Sequence, residues 1–253
     1  MATSRTYLLL IVYAPALVGD DGRPVAVVHA MERAFPGLRL EWTISDEGQR
    51  SSLPDRDAWV AQERRDGGFP LLCNGDENFR VMLTAWESPA SQNPGGQAQF
   101  EVHAKLPLNA AGLAAAAAVL EHVAEGAHAF WGHVTPHEAA VEIARQTSDP
   151  VRKPQLPPRG LPALKLSEDL RSPELPHRLG WLNYWSAAAA QAIGVPDPAR
   201  DAEWLSRSRR TATGGWLVQL TEAPLELDNP THLDVLLRAY ERFPEIGGRV
   251  TAR

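Results

Sequence analysis

Hydrophobic and polar positions follow two different periods along this chain, and the changes of period mark its elements. Residues 6–14, through Tyr7-Leu8-Leu9-Leu10-Ile11-Val12-Tyr13, form a short apolar run that stops at Pro15, as a buried strand does. After the turn residues Gly19 to Gly22, the spacing of Val25, Val28, Met31 and Ala34 predicts a helix over 24–35, opened by Pro24 and closed by Pro36-Gly37. Leu38, Leu40, Trp42 and Ile44 then alternate with Arg39, Glu41 and Thr43, the period of two expected of a half-buried strand over 38–45. The chain therefore starts as strand, helix, strand.

Residues 46–68 are charged and turn-rich, with a short helix expected over 57–64, and they lead into an apolar run at 70–73. Two further strands are expected over 79–87 and 99–106, joined through a Pro- and Gly-containing stretch, so they should pair antiparallel. The alanine-rich stretch 109–125 has the highest helix propensity in the chain, with Asn109 placed to cap it. A second helix is expected after Thr135-Pro136, over 137–146. Residues 147–176 carry repeated prolines and read as a surface connection. Beyond them the pattern predicts helices over 179–193 and 201–209, a strand over 215–221, and a helix over 230–242 with Asn229 as cap and Pro230 in its first turn. The fold class is α+β over residues 1–253 as one domain: a mostly antiparallel sheet with helices packed on it and a helix-rich C-terminal half. An internal echo links the stretch from Ala14-Pro15 to Phe35-Pro36 with that from Ala223-Pro224 to Phe243-Pro244, a shared structural solution more than a duplication.

With 44% hydrophobic residues the chain has material for a sizeable core. Its formal charge of −6 is spread along the sequence without a basic stripe, so direct nucleic-acid binding is not expected. The single cysteine, Cys73, allows no internal disulfide and points to a reducing, cytoplasmic setting, and its place in an apolar run reads as a buried structural thiol. The first apolar run followed by Ala14-Pro15-Ala16 imitates a secretory core, but it is short, Arg5 is the only cation before it, and Pro15 sits inside the would-be cleavage motif. A buried first strand is the better account. No apolar stretch reaches the ~20 residues needed to span a bilayer, so no membrane association is expected.

Candidate chemistry is sparse. His133 and His137 are four apart, but Thr135-Pro136 between them starts a helix and breaks the shared face that a metal would need. Asp20-Asp21, Asp46-Glu47 and Asp76-Glu77 sit in turn-like contexts as hydrated carboxylates, the paired glycines lack a following phosphate-loop lysine or serine, and Ser186 lacks the glycine frame of a nucleophile elbow. No catalytic residue, metal site or cofactor is expected. Trp181 and Trp185, four apart, would share one face of the helix expected over 179–193, either in the core or as a recognition patch.

Trp86-Glu87 at the end of a strand resembles the Trp-Glu signature of the Immunity protein 52 family. The segment Gly180-Trp181, the run Gly215-Trp216-Leu217-Val218-Gln219-Leu220-Thr221 and Pro224-Leu225-Glu226-Leu227-Asp228 resemble that family's C-terminal pattern. The resemblance covers most of the chain and is clearest from Trp131 onward. It implies an α+β immunity protein that neutralises a cognate secreted toxin with a restriction-endonuclease-like nuclease fold. The residues expected to meet that partner are Trp86, Glu87, Trp181, Trp185, Glu226 and Asp228, with acidic residues steering encounter to the basic surface a nuclease needs. An enzyme of unrecognised family, a hydrolase or transferase on the same scaffold, and a structural or regulatory adaptor are the competing classes.

Overall fold

The computed structural model describes residues 7–45, 47–63, 67–147 and 156–249. In chain order its N-terminal half contains β1 (Tyr7–Pro15), α1 (Arg23–Ala34), β2 (Trp42–Ile44), β3 (Arg50–Ser52), α2 (Arg56–Glu63), β4 (Gly68–Cys73), β5 (Met82–Ser88), β6 (Gln99–Pro107) and α3 (Ala110–Ala127). There follow β7 (Trp131–Pro136), α4 (His137–Ala144), β8 (Leu182–Trp185), α5 (Ala187–Ala192), α6 (Ala202–Leu205), β9 (Arg209–Arg210), β10 (Trp216–Gln219) and α7 (Pro230–Arg242). The strands form one ten-stranded sheet in the order β3-β2-β4-β5-β6-β1-β7-β8-β10-β9. Each ladder is antiparallel.

The first strand lies in the middle of this sheet, with β6 on one side and β7 on the other, which is why its sequence is apolar on both faces. Leu8, Leu10, Val12 and Ala14 point to one face and are fully buried under α1 and α3. The two helices pack closely because α3 has Gly126 at the crossing, where an added Cβ would come within 3.3 Å of Ala26 O and of Ala30 Cβ. Asn109 caps α3 by accepting the Gly112 N–H at 2.9 Å, an interaction that contributes about 1 kcal/mol. Asn229 caps α7 in the same way, through the Thr231 N–H.

Tyr7, Leu9, Ile11 and Tyr13 point to the opposite face. There α7 covers the C-terminal strands, with the Phe243 ring set edge-on to Trp185 at 5.4 Å. The segment 177–180 crosses β7 so closely that a Cβ on Gly180 would come within 2.9 Å of His133 Cβ. Over β5 and β6 the same face is open, and Trp86 is 37% exposed on it.

Several expectations need correction. The helix expected over 179–193 is strand β8 followed by the short helix α5, so Trp181 and Trp185 do not share a helix face. Leu182-Asn183-Tyr184-Trp185 is rich in residues that suit a fully buried strand, and Ser186 starts the helix afresh by accepting the Ala189 N–H. Strand β7 was hidden because all six of its residues are buried and no alternation shows. The strand expected over 38–45 is confined to Trp42–Ile44, and the expected helix over 201–209 shrinks to α6 and ends in the edge strand β9. The connection 147–176 is not all surface: Leu161, Leu164 and Leu170 are buried, and Leu164 takes a ladder-like bond from its N–H to Gln146 O. Residues 148–155, Thr6, Asp46 and Arg64, all part of sequence-based expectations, lie outside the described residues.

Candidate recognition surface

The six residues expected to meet a partner are divided by the fold. Trp185 is 1% exposed and Trp181 5%, with the Trp181 indole N–H donated to Thr221 O at 2.8 Å, so both are core side chains and neither ring is offered to a partner. This corrects their place in the expected interface: strand β8 buries Trp185, and Trp181, just before that strand, is held by its bonds to Leu220 and Thr221. Glu87 points away from Trp86 because neighbours on a strand face opposite sides. Its carboxylate accepts the Leu17 N–H at 2.8 Å and so holds the loop before α1. Trp86 remains on the open face, tilted against His103 with ring centroids 4.3 Å apart. Glu101 lies beside His103, its carboxylate 3.3 Å from Nε2, with its pKa lowered because bonds from His103 and Ser88 outweigh the opposing effect of burial.

Glu226 and Asp228 are brought together at the end of the sheet. They line a groove of about 270 Å³ between α4 and the 224–228 loop, with Glu138 and Glu142 opposite. Its floor is apolar, from Leu108, Ala139, Leu225 and Leu227, and Tyr7 closes one end with its ring stacked on His137 at 4.4 Å. Proline 224 and the capped start of α7 fix the loop, and the Glu226 N–H is donated to His232 Nδ1. Arg159 reaches across the mouth, donating to both oxygens of Glu142 at 2.6 and 3.0 Å and to Leu227 O, and pairing with Asp228 at 2.8 Å. These bonds raise the pKa of Arg159 and keep one guanidinium seated among the carboxylates. Arg159 thus ties Glu142 on α4 to Asp228 in the loop, in the bidentate geometry that a guanidinium offers a carboxylate.

A second, wider cleft of about 690 Å³ lies between α1, α2 and the β2–β3 hairpin. Sequence reasoning missed its ion network, because the partners come from separate elements. His29 Nε2 lies 2.7 Å from Asp57 Oδ2, Arg56 holds Asp57 through Nε and Nη2, and Arg56 also pairs with Glu32. The Asp57 pKa is lowered: burial opposes ionisation, but the bonds from Arg56 and His29 outweigh it, which makes the carboxylate a poor base. The network ties α1 to α2. Among the described residues no group of three or more His, Cys, Asp or Glu side chains is placed to hold a metal ion. His133 and His137 are separated, as the start of α4 between them requires.

Beneath the segment 177–180 lies a buried polar band. Burial first, and then the Arg178 charge, push the His133 imidazole down to about 3 and that of His177 to about 4. Unfolded imidazoles take up a proton below the ordinary value of 6.5, whereas these two refuse it until far lower pH. The unfolded state therefore binds more protons across this window, and stability must fall as pH is lowered. The expected slope between pH 6.5 and 4.5 is about 1.4 kcal/mol per pH unit for each imidazole at full linkage. Urea midpoints at pH 7.5, 6.0 and 5.0 measure it, with His133→Gln expected to remove part of the slope. A midpoint constant over that range would contradict two buried neutral imidazoles.

Residues 19–251 match the family described as Domain of unknown function (DUF5953). No curated protein matches the chain. Among solved structures, the chain is similar to one titled Pseudomonas aeruginosa T6SS protein PA0821, with a TM-score of 0.55 and 14% identity, covering 94% of this chain and 73% of that one. At this identity the likeness shows a shared fold.

Proposed function

The chain belongs to the family described as Domain of unknown function (DUF5953), and from that starting point we propose that it is an immunity protein, which binds a cognate toxin and blocks it without catalysing a reaction. The observation that carries this reading is the groove lined by Glu138, Glu142, Glu226 and Asp228, where the chain's own Arg159 shows what a basic side chain finds there. The shared fold with a T6SS protein supports a role in a toxin system, and the Trp86-Glu87 and C-terminal motifs support the finer reading of an Immunity protein 52-like inhibitor of a nuclease. A nuclease must present basic residues to hold phosphates, and an acidic groove on a chain of net charge −6 is complementary to them. The surface proposed to engage the partner joins this groove to the open sheet face carrying Trp86. The reading places the protein in the cytoplasm of the toxin-producing cell, with no cofactor.

Co-expression with a toxin encoded in a neighbouring gene, where one is found, tests the proposal. Growth should be restored, and calorimetry on the purified pair should give a stoichiometric complex. Growth arrest despite abundant folded protein, together with no heat of binding, would reject the immunity role.

A further inference from the structure

We infer that the groove between α4 and the 224–228 loop is an anchor pocket for one alkyl cation, an ammonium or guanidinium group on an aliphatic stem, drawn in by Glu138 and Glu226. The inference rests on the immunity reading in one respect: it makes that cation a single lysine or arginine side chain of the toxin.

Two short sequence patterns build the groove. Pro224-Leu225-Glu226-Leu227-Asp228 alternates, so that Leu225 and Leu227 are buried while Glu226 and Asp228 stay exposed. On α4, Glu138 and Glu142 are one turn apart and share a face, while Ala139 is buried. Leu108, Pro224 and Tyr7 are half-buried and add apolar surface to the same groove. Its volume of about 270 Å³ is that of about nine waters, which suits one side chain and falls below the range of cofactor-sized pockets.

The charges are unevenly paired. Arg159 is fully engaged, with Nε and Nη2 on Glu142, Nη1 on Leu227 O and Nη2 on Asp228. Glu142 and Asp228 therefore share one internal cation. Glu138 and Glu226, one on each wall, are exposed and make no ion pair among the described residues. Lys105, with Nζ 5.0 Å from the Tyr7 ring, does not line the groove. Two unpaired carboxylates on one small groove favour a cation over a neutral or anionic ligand. The apolar surface beside them adds the second requirement, because lysine and arginine lay a hydrocarbon stem on apolar surface while the charged head stays at the polar rim. A bare metal ion or an uncharged apolar side chain would meet only one of the two.

The test titrates n-butylammonium and n-butylguanidinium into the full chain, with n-pentanol as the uncharged stem, and follows Leu and Ala methyl resonances. Both cations should shift the Leu108, Ala139, Leu225 and Leu227 methyls saturably, with Kd on the order of 1–10 mM. Pentanol should bind at least about fivefold more weakly. Glu138→Gln with Glu226→Gln, which keeps the shape and removes the charge, should abolish the difference between cation and alcohol, whereas Glu41→Gln in the wider cleft should leave it unchanged. Equal binding of alcohol and cation, or cation binding that persists in the double variant, would overturn the inference. Putrescine binding more than about tenfold tighter than n-butylammonium would assign the groove to a free diamine and overturn the side-chain reading. The two readings fail separately. A toxin complex that forms while neither alkyl cation binds would leave the immunity role standing without this anchor; charge-dependent binding of both cations, with no protection on co-expression, would leave the alkyl-cation pocket standing without the immunity role.

Discussion

Trp185→Ala is expected to destabilise the protein by about 3–5 kcal/mol. The ring is 1% exposed, meets Phe243 edge-on, and stands opposite Trp131 on β7 and Trp216 on β10, so its removal opens a cavity between three strands and the end of α7. Denaturant unfolding followed by far-UV circular dichroism measures the loss. The matched control is Trp86→Ala, which removes an exposed ring and should change stability by less than about 1 kcal/mol. If Trp185→Ala keeps wild-type stability while abolishing partner binding, the ring belongs to an interface and its placement in the core is wrong.

Paired charge reversal in the groove, Glu138→Lys with Glu226→Lys, is expected to weaken the toxin complex by roughly a hundredfold or more while leaving the fold intact. Both residues are exposed, and neither bonds to Arg159, so the internal clamp on Glu142 and Asp228 survives the change. Like charges brought together at an interface repel, and lost steering slows association, so kinetic traces should show a lower rate of binding as well as a faster release. Raising the salt concentration should weaken the wild-type complex and affect the variant little. An unchanged affinity in the double variant would remove the groove from the interface, even where co-expression still protects the cell.

The legible parts of this molecule were those whose signal is local. The helix expected over 230–242 is α7 residue for residue, because Asn229, Pro230 and Pro244 punctuate it, and α3 follows from its alanines and from Asn109. The pairing of β5 with β6 was readable from a turn-rich connection between two alternating stretches. What stayed hidden depends on burial on both faces or on distance along the chain. Strands β7 and β8 show no alternation, since both of their faces are covered, and Trp181 and Trp185 at a spacing of four imitate a helix. In the groove, Glu226 and Asp228 could be singled out from their loop, but their counterparts Glu138, Glu142 and Arg159 are 67 to 90 residues away and carry no motif. The 177–180 segment over His133 has no sequence signal beyond the Gly180 that its close approach requires.

The two ends of the sheet limit how this protein can associate. One edge, β3, offers three residues with Arg50 tied by an ion pair to Glu77, and the other, β9, is two arginines long with Arg209 held by Glu121. Short, charged margins give an incoming strand few main-chain groups to pair with, which guards a broad antiparallel sheet against stacking edge to edge into aggregates. The same margins offer little to a partner that binds by strand addition, so recognition of the proposed toxin would fall to side chains on a pre-shaped surface. Binding of that kind needs little ordering of the backbone, and selectivity between related toxins would then change by single substitutions while the scaffold stays as it is.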